Sequence, residues 1–448
     1  MISSFLTSPL VRNAGPAAAA TRRFPFGRLP VHATHAFHRA SALPLPSDAA
    51  RRAEPRAGGI ATEIVDAAAF AALGQAWRDL VGAAAETNVF MEPAVLVAAQ
   101  AAEPGTPIKV LLAWRSAPSG RELAGRELAG AWAFAVTGGL VPRLQAPAAP
   151  LAALASPVVR ADCIEPVLES FFAALAASPL PKILELKAMP DEGPIRDALG
   201  RVVARRRCDN IVEERRRRAV LRSDLDGSAY LELSVSGSRR RKLRQLRSRL
   251  GRQGEVSYRR ATDPEAVAVA TEDFLALEAR GWKGRRGTAL ASDRRLADFT
   301  REAVTGLAKD GLASVSWLAL DGRPVSMGVV LRSGATASTW KIAYDEEAAP
   351  FSPGYLLALE DTAAFLADPA IAEVDSCASA EFGIMAEVWR ERRAVADVHL
   401  DVRPGPSLRF RAAMLLLATA DLLPRIRRRL RAREQLRRFY YRVRRLRP

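Results

Sequence analysis

Histidine is scarce in this chain of 448 residues, which holds four histidines and three cysteines. His32, His35 and His38 lie in an Ala/Pro/Arg-rich leader, which leaves His399 as the one histidine of the predicted globular part. Serine–histidine triads, histidine-bound catalytic zinc and haem each need an imidazole in the fold, so the composition argues against all three. Three cysteines are also too few for a disulfide scaffold. Chemistry must then come from carboxylates, hydroxyls, backbone amides or a bound cofactor, and we predict no metal site.

Long apolar runs are missing as well. The most apolar stretch near the C-terminus, Ala412–Ala420, ends at Asp421, well short of the roughly 20 residues that cross a membrane. The apolar residues near the N-terminus have no basic region ahead of them and no clean cleavage site, so no secretory signal is predicted. The leader resembles an organelle transit peptide in composition, but a GC-rich bacterial gene gives the same composition. We therefore expect a cytoplasmic protein.

Positive charge is abundant, and it lies at the two ends of the chain. The formal net charge is +17. Residues 1–60 hold eight arginines against two acids, a net +6, and residues 401–448 hold fifteen arginines against three acids, a net +12. This leaves −1 for residues 61–400. The pattern favours contacts with anionic partners through the tails. The C-terminal tail could lie on anionic lipid, at the inner membrane face, or bind RNA phosphates.

Apolar periodicity predicts two successive units of mixed helix and strand, over residues 58–225 and 226–404. Residues 1–57 lack periodicity and are rich in Pro, Gly and Ala, which predicts disorder. Residues 405–448 predict a basic amphipathic helical tail. Within the second unit, helices lead to three strands in succession, Ala313–Leu320, Val325–Arg332 and Ala337–Tyr344. The predicted fold class is α+β (mixed α/β), with largely antiparallel sheets flanked by helices.

This element order resembles that of the GNAT acyltransferases, and several local stretches sharpen the resemblance. They are Phe274–Gly284, Tyr344-Asp345, Phe351–Leu357, Asp375–Cys377 and Val388-Trp389. In them the chain is similar to the GNAT proteins often called CelD-like or cellulose-biosynthesis acetyltransferases. That group is similar to the Fem-type aminoacyltransferases, which carry two GNAT-like domains in tandem. The motifs cover about 236–392, and element order with Thr87–Phe90 extends the resemblance to 58–225. It implies tandem GNAT-like domains, the first one degenerate, and acetyl-CoA or another acyl-CoA as co-substrate.

The resemblance also places the donor site. The family holds the pyrophosphate of acyl-CoA at the start of a helix, where backbone amides and the helix dipole favour an anion. At that place this chain has Ser352, Pro353, Gly354, Tyr355 and Leu356. Ser352 is expected to cap the helix, Pro353 to occupy its first turn and Gly354 to let a phosphate approach. A plain capped helix start is the alternative, because the fuller glycine-rich pattern of well-studied GNAT enzymes is missing.

Acyl transfer needs a neutral, positioned amine and help for the leaving thiolate. Asp375 ends a predicted strand where GNAT strands splay, so it is the predicted general base, with a turn cap as the alternative. Glu381 is the second candidate base. Tyr344 is a candidate for positioning the acceptor or donating a proton, with packing at a strand end as the alternative. The usual GNAT tyrosine after the fifth strand is not obvious. Cys377 has no histidine to activate it, so covalent catalysis is not expected.

Two further segments are candidates for binding. Trp282 and Lys283 are predicted to line the acceptor cleft, with a core position as the alternative for Trp282. The helix Arg239–Leu250 places leucines on one face and basic residues on the others. Those basic residues form either a solvated face or a phosphate-binding ridge for CoA, a nucleotide-sugar, a lipid-linked sugar or tRNA.

These observations predict an acyl-CoA-dependent N-acyltransferase that acts by direct transfer. The resemblance implies that the acceptor is an amine on a sugar, a polysaccharide precursor or an envelope metabolite. Two alternatives stay open: a Fem-type transferase that uses aminoacyl-tRNA, and a non-catalytic GNAT scaffold that docks an envelope-synthesis complex on the membrane.

Overall fold

A computed structural model describes residues 59–116, 125–148, 151–379 and 383–420. The predicted leader, 1–57, and the tail from residue 421 onward lie outside the described residues. The strands are β1 (Ile60–Asp66), β2 (Ile108–Ser116), β3 (Arg126–Thr137), β4 (Arg143–Gln145), β5 (Val158–Val159), β6 (Ile183–Pro190), β7 (Asn210–Leu221), β8 (Val256–Ala261), β9 (Ala313–Leu320), β10 (Arg323–Ser333), β11 (Thr336–Tyr344), β12 (Glu373–Ser379) and β13 (Glu391–Asp401).

The helices begin where capping residues and prolines predict. Asp226, Asp263 and Asp293 each accept a backbone N–H from the first turn of the helix that follows. The helices are α1 (Ala67–Ala71), α2 (Gln75–Gly82), α3 (Pro93–Ala102), α4 (Ile164–Ala177), α5 (Pro194–Arg206), α6 (Gly227–Ser234), α7 (Gly237–Leu250), α8 (Pro264–Arg280), α9 (Trp282–Arg285), α10 (Arg294–Lys309), α11 (Pro353–Ala367) and α12 (Ile384–Val388). Residues 408–420 are helical as well. No helix in the described ranges has the length and apolar character that crossing a bilayer requires.

All thirteen strands of the described residues belong to one sheet. Its order is β1-β2-β3-β4-β6-β13-β7-β12-β11-β10-β9-β8, with β5 paired to β3. The pairs are antiparallel except β4–β6 and β11–β12, which are parallel. The predicted fold class is confirmed: this is a mixed, largely antiparallel sheet with helices on both faces.

The two faces of the sheet carry different helices. On one, here called the α8 face, Val110 of the first half and Val315 of the second share a core with α1–α3, α8 and α10. Because strand side chains alternate, neighbours such as Leu111 point to the other side, here called the α11 face. There α4 and α5 cover the first half, and α6, α7, α11 and α12 cover the second. The α8-face core therefore runs through both halves.

The two halves repeat one order of elements and exchange their last strands. The run β1–β4, α4, β6, α5, β7 matches β8–β11, α11, β12, α12, β13. In the sheet, however, β13 pairs with β6 of the first half and β7 pairs with β12 of the second. The predicted division near residue 225 therefore separates the halves along the chain, while each half of the sheet is completed by a strand of the other.

A buried ion pair joins the exchanged strands. The Arg218 guanidinium of β7 lies 3.1 Å from the Asp375 carboxylate of β12, and Arg393 of β13 lies 3.6 Å from the same carboxylate. Arg218 also donates to the Ala153 carbonyl at 2.9 Å, and Arg393 pairs with Glu373. Burial alone would lower the pKa of Arg218, but the attraction of Asp375 outweighs it and raises that pKa. The opposite charges of Arg218 and Asp375 thus compensate each other in the protein interior.

Apolar periodicity predicts one helix over Ala68–Ala84 and a strand near Ala219–Leu221, and the structure corrects both. The helix predicted over Ala68–Ala84 is divided into α1 and α2, because Gly74 has a φ of 44°, outside the α-helical range. The strand predicted at Ala219–Leu221 begins at Asn210 instead. Its arginine-rich part is stabilised by pairing with β13 and by ion pairs such as Arg216–Asp397 at 2.8 Å.

The start of the predicted tail packs against the first half. Phe410 and Ala413 are buried in a small cluster with Val141 and Ile183. A chain ending at Pro406 would therefore lose core contacts, which the sequence did not indicate.

α11 carries a buried carboxylate. Asp361 is 4% exposed, and its Oδ1 accepts a hydrogen bond from the Tyr258 hydroxyl at 3.0 Å. Burial raises the pKa of Asp361 to about 6, although Tyr258 and Arg260 oppose the shift. The folded state therefore holds this proton more tightly than the unfolded chain does.

Loss of the Asp375 charge should destabilise the fold. In Asp375→Asn the buried Arg218 loses its counterion, so we expect the free energy of unfolding to fall by about 3 kcal/mol in urea denaturation. Asp298→Asn is the control, because its ion pair with Arg301 is exposed to solvent and should contribute at most about 1 kcal/mol. Equal losses in the two variants would show that the Asp375 pair does not stabilise the exchange.

Asp361 should make stability depend on pH. A folded pKa raised to about 6 gives a contribution that is complete below pH about 4 and is lost as the pH rises through 6. Between pH 5 and pH 8, the unfolding free energy of the wild type should therefore fall by roughly 1–2 kcal/mol more than that of Asp361→Asn. Glu360→Gln, a partly exposed neighbour on α11, should keep the wild-type pH dependence. Identical pH profiles for wild type and Asp361→Asn would contradict this.

Candidate functional site

The sheet splits open between β11 and β12. The two strands pair only over Thr336–Ser338 and Glu373–Asp375 and then separate. In β11 the register against β10 shifts, which makes Trp340 the extra residue of a β-bulge. A bulge leaves backbone groups unpaired and turns the strand. Past Ser338, one side of β11 therefore has no partner strand among the described residues and is open to a ligand.

The predicted donor residues lie at the start of α11, on the α11 face beside this split. Ser352 adopts left-handed backbone angles (φ 53°, ψ 53°), and its side chain does not cap the helix, so that expectation is wrong. Its carbonyl instead accepts the N–H groups of Tyr355 and Leu356 at 3.0 and 3.2 Å. Since Pro353 has no N–H, the amide of Gly354 is the first-turn donor that remains for an anion.

Packing, and not phosphate access, accounts for the glycine at 354. A Cβ there would lie 2.9 Å from Ile384 Cδ1, and the position is buried. Pro353 is also buried, and Leu356 packs into the core with Leu243 of α7. Ser352 and Tyr355 are the two members of the predicted set that reach solvent.

The basic helix α7 brings a guanidinium to this helix start. Arg239 stacks 4.4 Å from the ring centre of Tyr355 and pairs with Glu387 at 3.2 Å. Burial raises the pKa of Tyr355 to about 12, and a hydrogen bond to Glu387 adds to the shift. The leucines of α7 are buried as the sequence predicts. Arg239 thus brings a guanidinium group to Tyr355, in the first turn of α11, which favours the phosphate-ridge interpretation for this end of α7.

The Asp375 side chain lies on the α8 face. Asp375 and Ser338 are the last paired residues before β11 and β12 separate. Asp375 is 3% exposed. Arg218 and Arg393 approach its carboxylate, which also accepts the Cys377 N–H at 2.7 Å. The two guanidinium groups and the backbone N–H thus occupy the oxygens of this carboxylate. The geometry therefore favours an ion-pair role for Asp375 over that of a general base, which stays a prediction.

Lys283 contacts β11, and its place in an acceptor cleft stays a prediction. Its ammonium group donates to Glu278 Oε1 at 2.6 Å and to the Ile342 carbonyl at 3.0 Å. Trp282 is 36% exposed, and the Arg286 guanidinium lies over it, 5.1 Å from the centre of the Trp282 ring. The alternative of a core position for Trp282 is therefore wrong.

The remaining candidates are placed differently. Tyr344 ends β11, partly buried, and burial with the charge of Glu346 raises its pKa. Glu381 lies outside the described residues. Cys377 is next to the split, where burial and then Asp375 raise its pKa to about 12. A thiol held neutral is a poor nucleophile, which favours direct transfer.

The first half of the chain covers the split on the α8 face. The Leu151 carbonyl accepts the Trp340 indole N–H at 3.0 Å, and the Thr87 hydroxyl donates to the Ser333 carbonyl at 2.8 Å. A narrow cleft remains, lined by both halves. Its lining includes Asn88, Phe90, Leu154, Arg218, Ser338, Asp375, Cys377 and Arg393. No cluster of residues suited to a metal ion occurs within the described ranges.

Three features of the site escaped the sequence analysis. Glu278 is buried in α8 and resembles any other helical glutamate in sequence, so only the fold shows that it anchors Lys283. Arg218 and Arg393 meet Asp375 through the strand exchange, which no local pattern predicts.

Comparison with known proteins agrees with this geometry. Residues 237–404 match the family model described as Acetyltransferase (GNAT) domain. No curated protein matches the chain. Among solved structures, FemX has a TM-score of 0.49 at 11% identity, covering 73% of this chain and 95% of its own. A tandem GNAT protein from the clavulanic acid biosynthesis pathway has a TM-score of 0.42 at 16% identity, covering 78% and 99%.

A third structure is the C-terminal domain (DUF2156) of a putative lysylphosphatidylglycerol synthetase from Agrobacterium fabrum. It has a TM-score of 0.45 at 13% identity and covers 78% of this chain and 96% of its own. Likenesses at this level carry no argument, so the assignment rests on the family match. Residues 237–404 are a GNAT-type acyltransferase domain.

Proposed function

We propose that the protein is an acyl-CoA-dependent N-acyltransferase that transfers the acyl group directly to an amine. The observation that carries this is the split between β11 and β12, which opens next to the start of α11 inside the matched GNAT domain. The split offers unpaired backbone on one strand, and the helix start offers an amide and a guanidinium.

The residues present fit an acyl-CoA at this place. The solvent-facing start of α11 and Arg239 would hold the pyrophosphate, where the helix dipole adds positive potential. The open side of β11 beyond Ser338 would pair with the amide-containing arm of the donor. That arm would lead from the α11 face through the split toward the α8 face. Acyl-CoA supplies the activated thioester.

The acceptor amine must lose a proton, and the thiolate must gain one. Asp375 is tied to two arginines, so Glu381 becomes the stronger candidate base, and Tyr344 is proposed to position the acceptor or donate a proton. The cleft on the α8 face is the proposed acceptor site, and Trp282 and Lys283 are proposed to contact the acceptor as it enters.

The acceptor is proposed to be an amine of a sugar, a polysaccharide precursor or an envelope metabolite. This rests on the resemblance to the CelD-like proteins. A screen of thermal stability against acetyl-CoA, longer acyl-CoAs and charged tRNA separates the proposal from its alternatives. Stabilisation by tRNA alone would indicate aminoacyl transfer, and no stabilisation by any ligand would indicate a scaffold.

Arg239→Met should weaken donor binding. At a hundred times its dissociation constant, acetyl-CoA should stabilise the wild type by about 2.7 kcal/mol. The variant loses a charge-assisted contact, so we expect roughly tenfold lower affinity in calorimetric titration. Arg241→Met is the matched control, because Arg241 is exposed on the same helix and should not affect binding. Unchanged acetyl-CoA affinity in Arg239→Met would place the pyrophosphate elsewhere.

We also propose that the C-terminal tail attaches the protein to an anionic membrane surface. Leu408, Leu415 and Leu416 are 81%, 67% and 49% exposed on the helical segment 408–420. Phe410 holds this segment on the first half, so the leucines project into solvent close to the basic sequence that follows. Apolar side chains beside many cations are suited to an anionic lipid surface.

A chain ending at Ala420 should separate the tail from the enzyme. It keeps the packed residue Phe410 but lacks twelve of the fifteen arginines of residues 401–448. We expect unchanged acetyl-CoA affinity and a large loss of binding to vesicles that contain phosphatidylglycerol, measured by co-sedimentation. Binding of the full chain should weaken steeply with salt. Vesicle binding that survives the truncation would refute the membrane role, and salt-sensitive binding to tRNA but not to lipid would favour the aminoacyl-tRNA alternative.

A further inference from the structure

A second cleft opens at the C-terminal end of α11, and no part of the proposed reaction uses it. It has a volume of about 210 Å³, over ten times the roughly 10–15 Å³ that one water molecule needs. Its lining includes Arg260, Ser314, Arg332, Asp368 and Ile371. This cleft, here called the α11-end cleft, is therefore large enough for an organic ligand.

The α11-end cleft is separate from the proposed donor and acceptor sites. Val330 and Ala337 line it, and both belong to a core cluster with Phe365 of α11, so the cleft is on the α11 face. α11 has fifteen residues, so about 20 Å separate its two ends. The proposed pyrophosphate site is at the other end, beside Arg239, and the proposed acceptor cleft is on the α8 face.

Two guanidinium groups of the α11-end cleft are held in place by contacts within the fold. Arg260 Nε donates to the Ser314 hydroxyl at 3.1 Å, and the same guanidinium lies 5.8 Å from the centre of the Phe365 ring. Arg332 Nη2 donates to the Gly311 carbonyl at 3.3 Å. Both side chains are partly exposed. The arginines are thus positioned at the cleft before any ligand arrives.

Neither of these arginines has an ion-pair partner in the part of the chain that the structure describes. Their remaining N–H groups have no hydrogen-bond acceptor there either. Asp361 feels the charge of Arg260, but it lies beyond ion-pair distance and accepts the Tyr258 hydroxyl. Two adjacent guanidinium groups with free N–H donors are suited to a phosphate or a carboxylate, which they bind through charge-assisted hydrogen bonds.

The sheet side and the helix side of the α11-end cleft differ in polarity. Arg260 and Arg332 belong to the sheet, on β8 and β10. The helix side has Asp368, whose carboxylate accepts the Ala370 N–H at 3.0 Å, and the C-terminal end of α11, which carries partial negative charge. This side repels an anion and accepts hydrogen bonds. A ligand that fits both sides has an anionic group at one end and hydrogen-bond donors, such as hydroxyl groups, at the other.

We propose that the α11-end cleft is a second small-molecule site, which binds a hydroxylated organic phosphate or carboxylate. Arg260 and Arg332 hold the anionic group, and Asp368 accepts a hydroxyl of the same molecule. This site goes beyond the proposed function and does not depend on it, because its ligand is neither the acyl donor nor the acceptor.

Isoleucine methyl NMR reports on this cleft and on the donor site separately. The chain has twelve isoleucines. Ile371 lines the α11-end cleft, whereas Ile384 lies next to Gly354 at the start of α11. Ile371→Val and Ile384→Val assign the two signals in the δ1-methyl-labelled chain. Glucose 6-phosphate, gluconate, inorganic phosphate and glucose are then added in turn at constant ionic strength.

We expect glucose 6-phosphate or gluconate to shift the Ile371 signal to saturation, and the tighter of the two identifies the anion as a phosphate or a carboxylate. Inorganic phosphate should bind more weakly, and glucose, which has no charge, should not bind. An Ile371 signal that no probe moves, or one that glucose moves equally, would overturn the proposal. Acetyl-CoA should shift Ile384 and leave Ile371 in place. If acetyl-CoA shifts neither signal, the proposed donor site fails while the α11-end cleft stands.

Arg332→Met should lower the affinity for the tighter probe by roughly tenfold, because it removes a charge-assisted contact. Arg259→Met is the matched control, since Arg259 is exposed beside Arg260 on β8 and points to the opposite face of the sheet. Equal weakening in both variants would show a general effect of charge and refute the site. Arg332 has one hydrogen bond to lose, so the variant should melt cooperatively near the wild-type temperature.

Asp368→Ala tests the helix side of the cleft. It should remove the preference for the hydroxylated anion over inorganic phosphate, because the acceptor for the ligand hydroxyl is gone. The affinity for inorganic phosphate should not fall, since the lost carboxylate repels that anion. An unchanged preference would refute the contact with Asp368.

Discussion

Asp375 and Arg218 meet in the interior because β7 and β13 have changed places between the two halves, and this exchange is the constraint to which the rest of the structure conforms. β12 is paired on one side with β11 and on the other with a strand from the first half. Since the far side of β12 is fixed by β7 and by the ion pair, the separation of β11 from β12 becomes a fixed feature of the sheet. The split is therefore held open by the fold as a whole, and a ligand need not create it.

The same constraint explains why the first half takes part in the site. Its segment after β4 covers the split through the Leu151 carbonyl and the Ala153 carbonyl, which bind Trp340 and Arg218. Both contacts join a backbone carbonyl to a side-chain N–H group. They therefore fix the position of this segment and do not require particular side chains at residues 151 and 153. The halves share one core on the α8 face, and the cleft is consequently a property of both.

The sequence was sufficient for the elements with strong local signals. Capped starts such as Asp263-Pro264 and the hairpin at Asp321-Gly322 predict α8 and the β9–β10 pair, because these depend on residues close together in the chain. Lys283 was placed near the acceptor side by resemblance. The length of β7 was not predictable, since its arginines are strand residues only by virtue of pairing with β13, nearly two hundred residues away. For the same reason the role of Asp375 could not be predicted. A carboxylate at a strand end can act as a base or as a counterion, depending on which arginines the distant strands place next to it.

The exchange of strands also has a consequence for synthesis of the chain on the ribosome. β6 ends at Pro190, yet its partner β13 begins at Glu391, so the first half emerges with an incomplete sheet and must wait for nearly the whole of the second. During that interval β6 and β7 expose unpaired edges, which are sites for aggregation and for chaperone binding. The matched segment 237–404 would also have an incomplete sheet if it were made alone, because β7, which lies between β12 and β13, belongs to the first half. The order in which the strands appear thus makes this a protein that folds late and as one unit, although its chain is organised as a repeat.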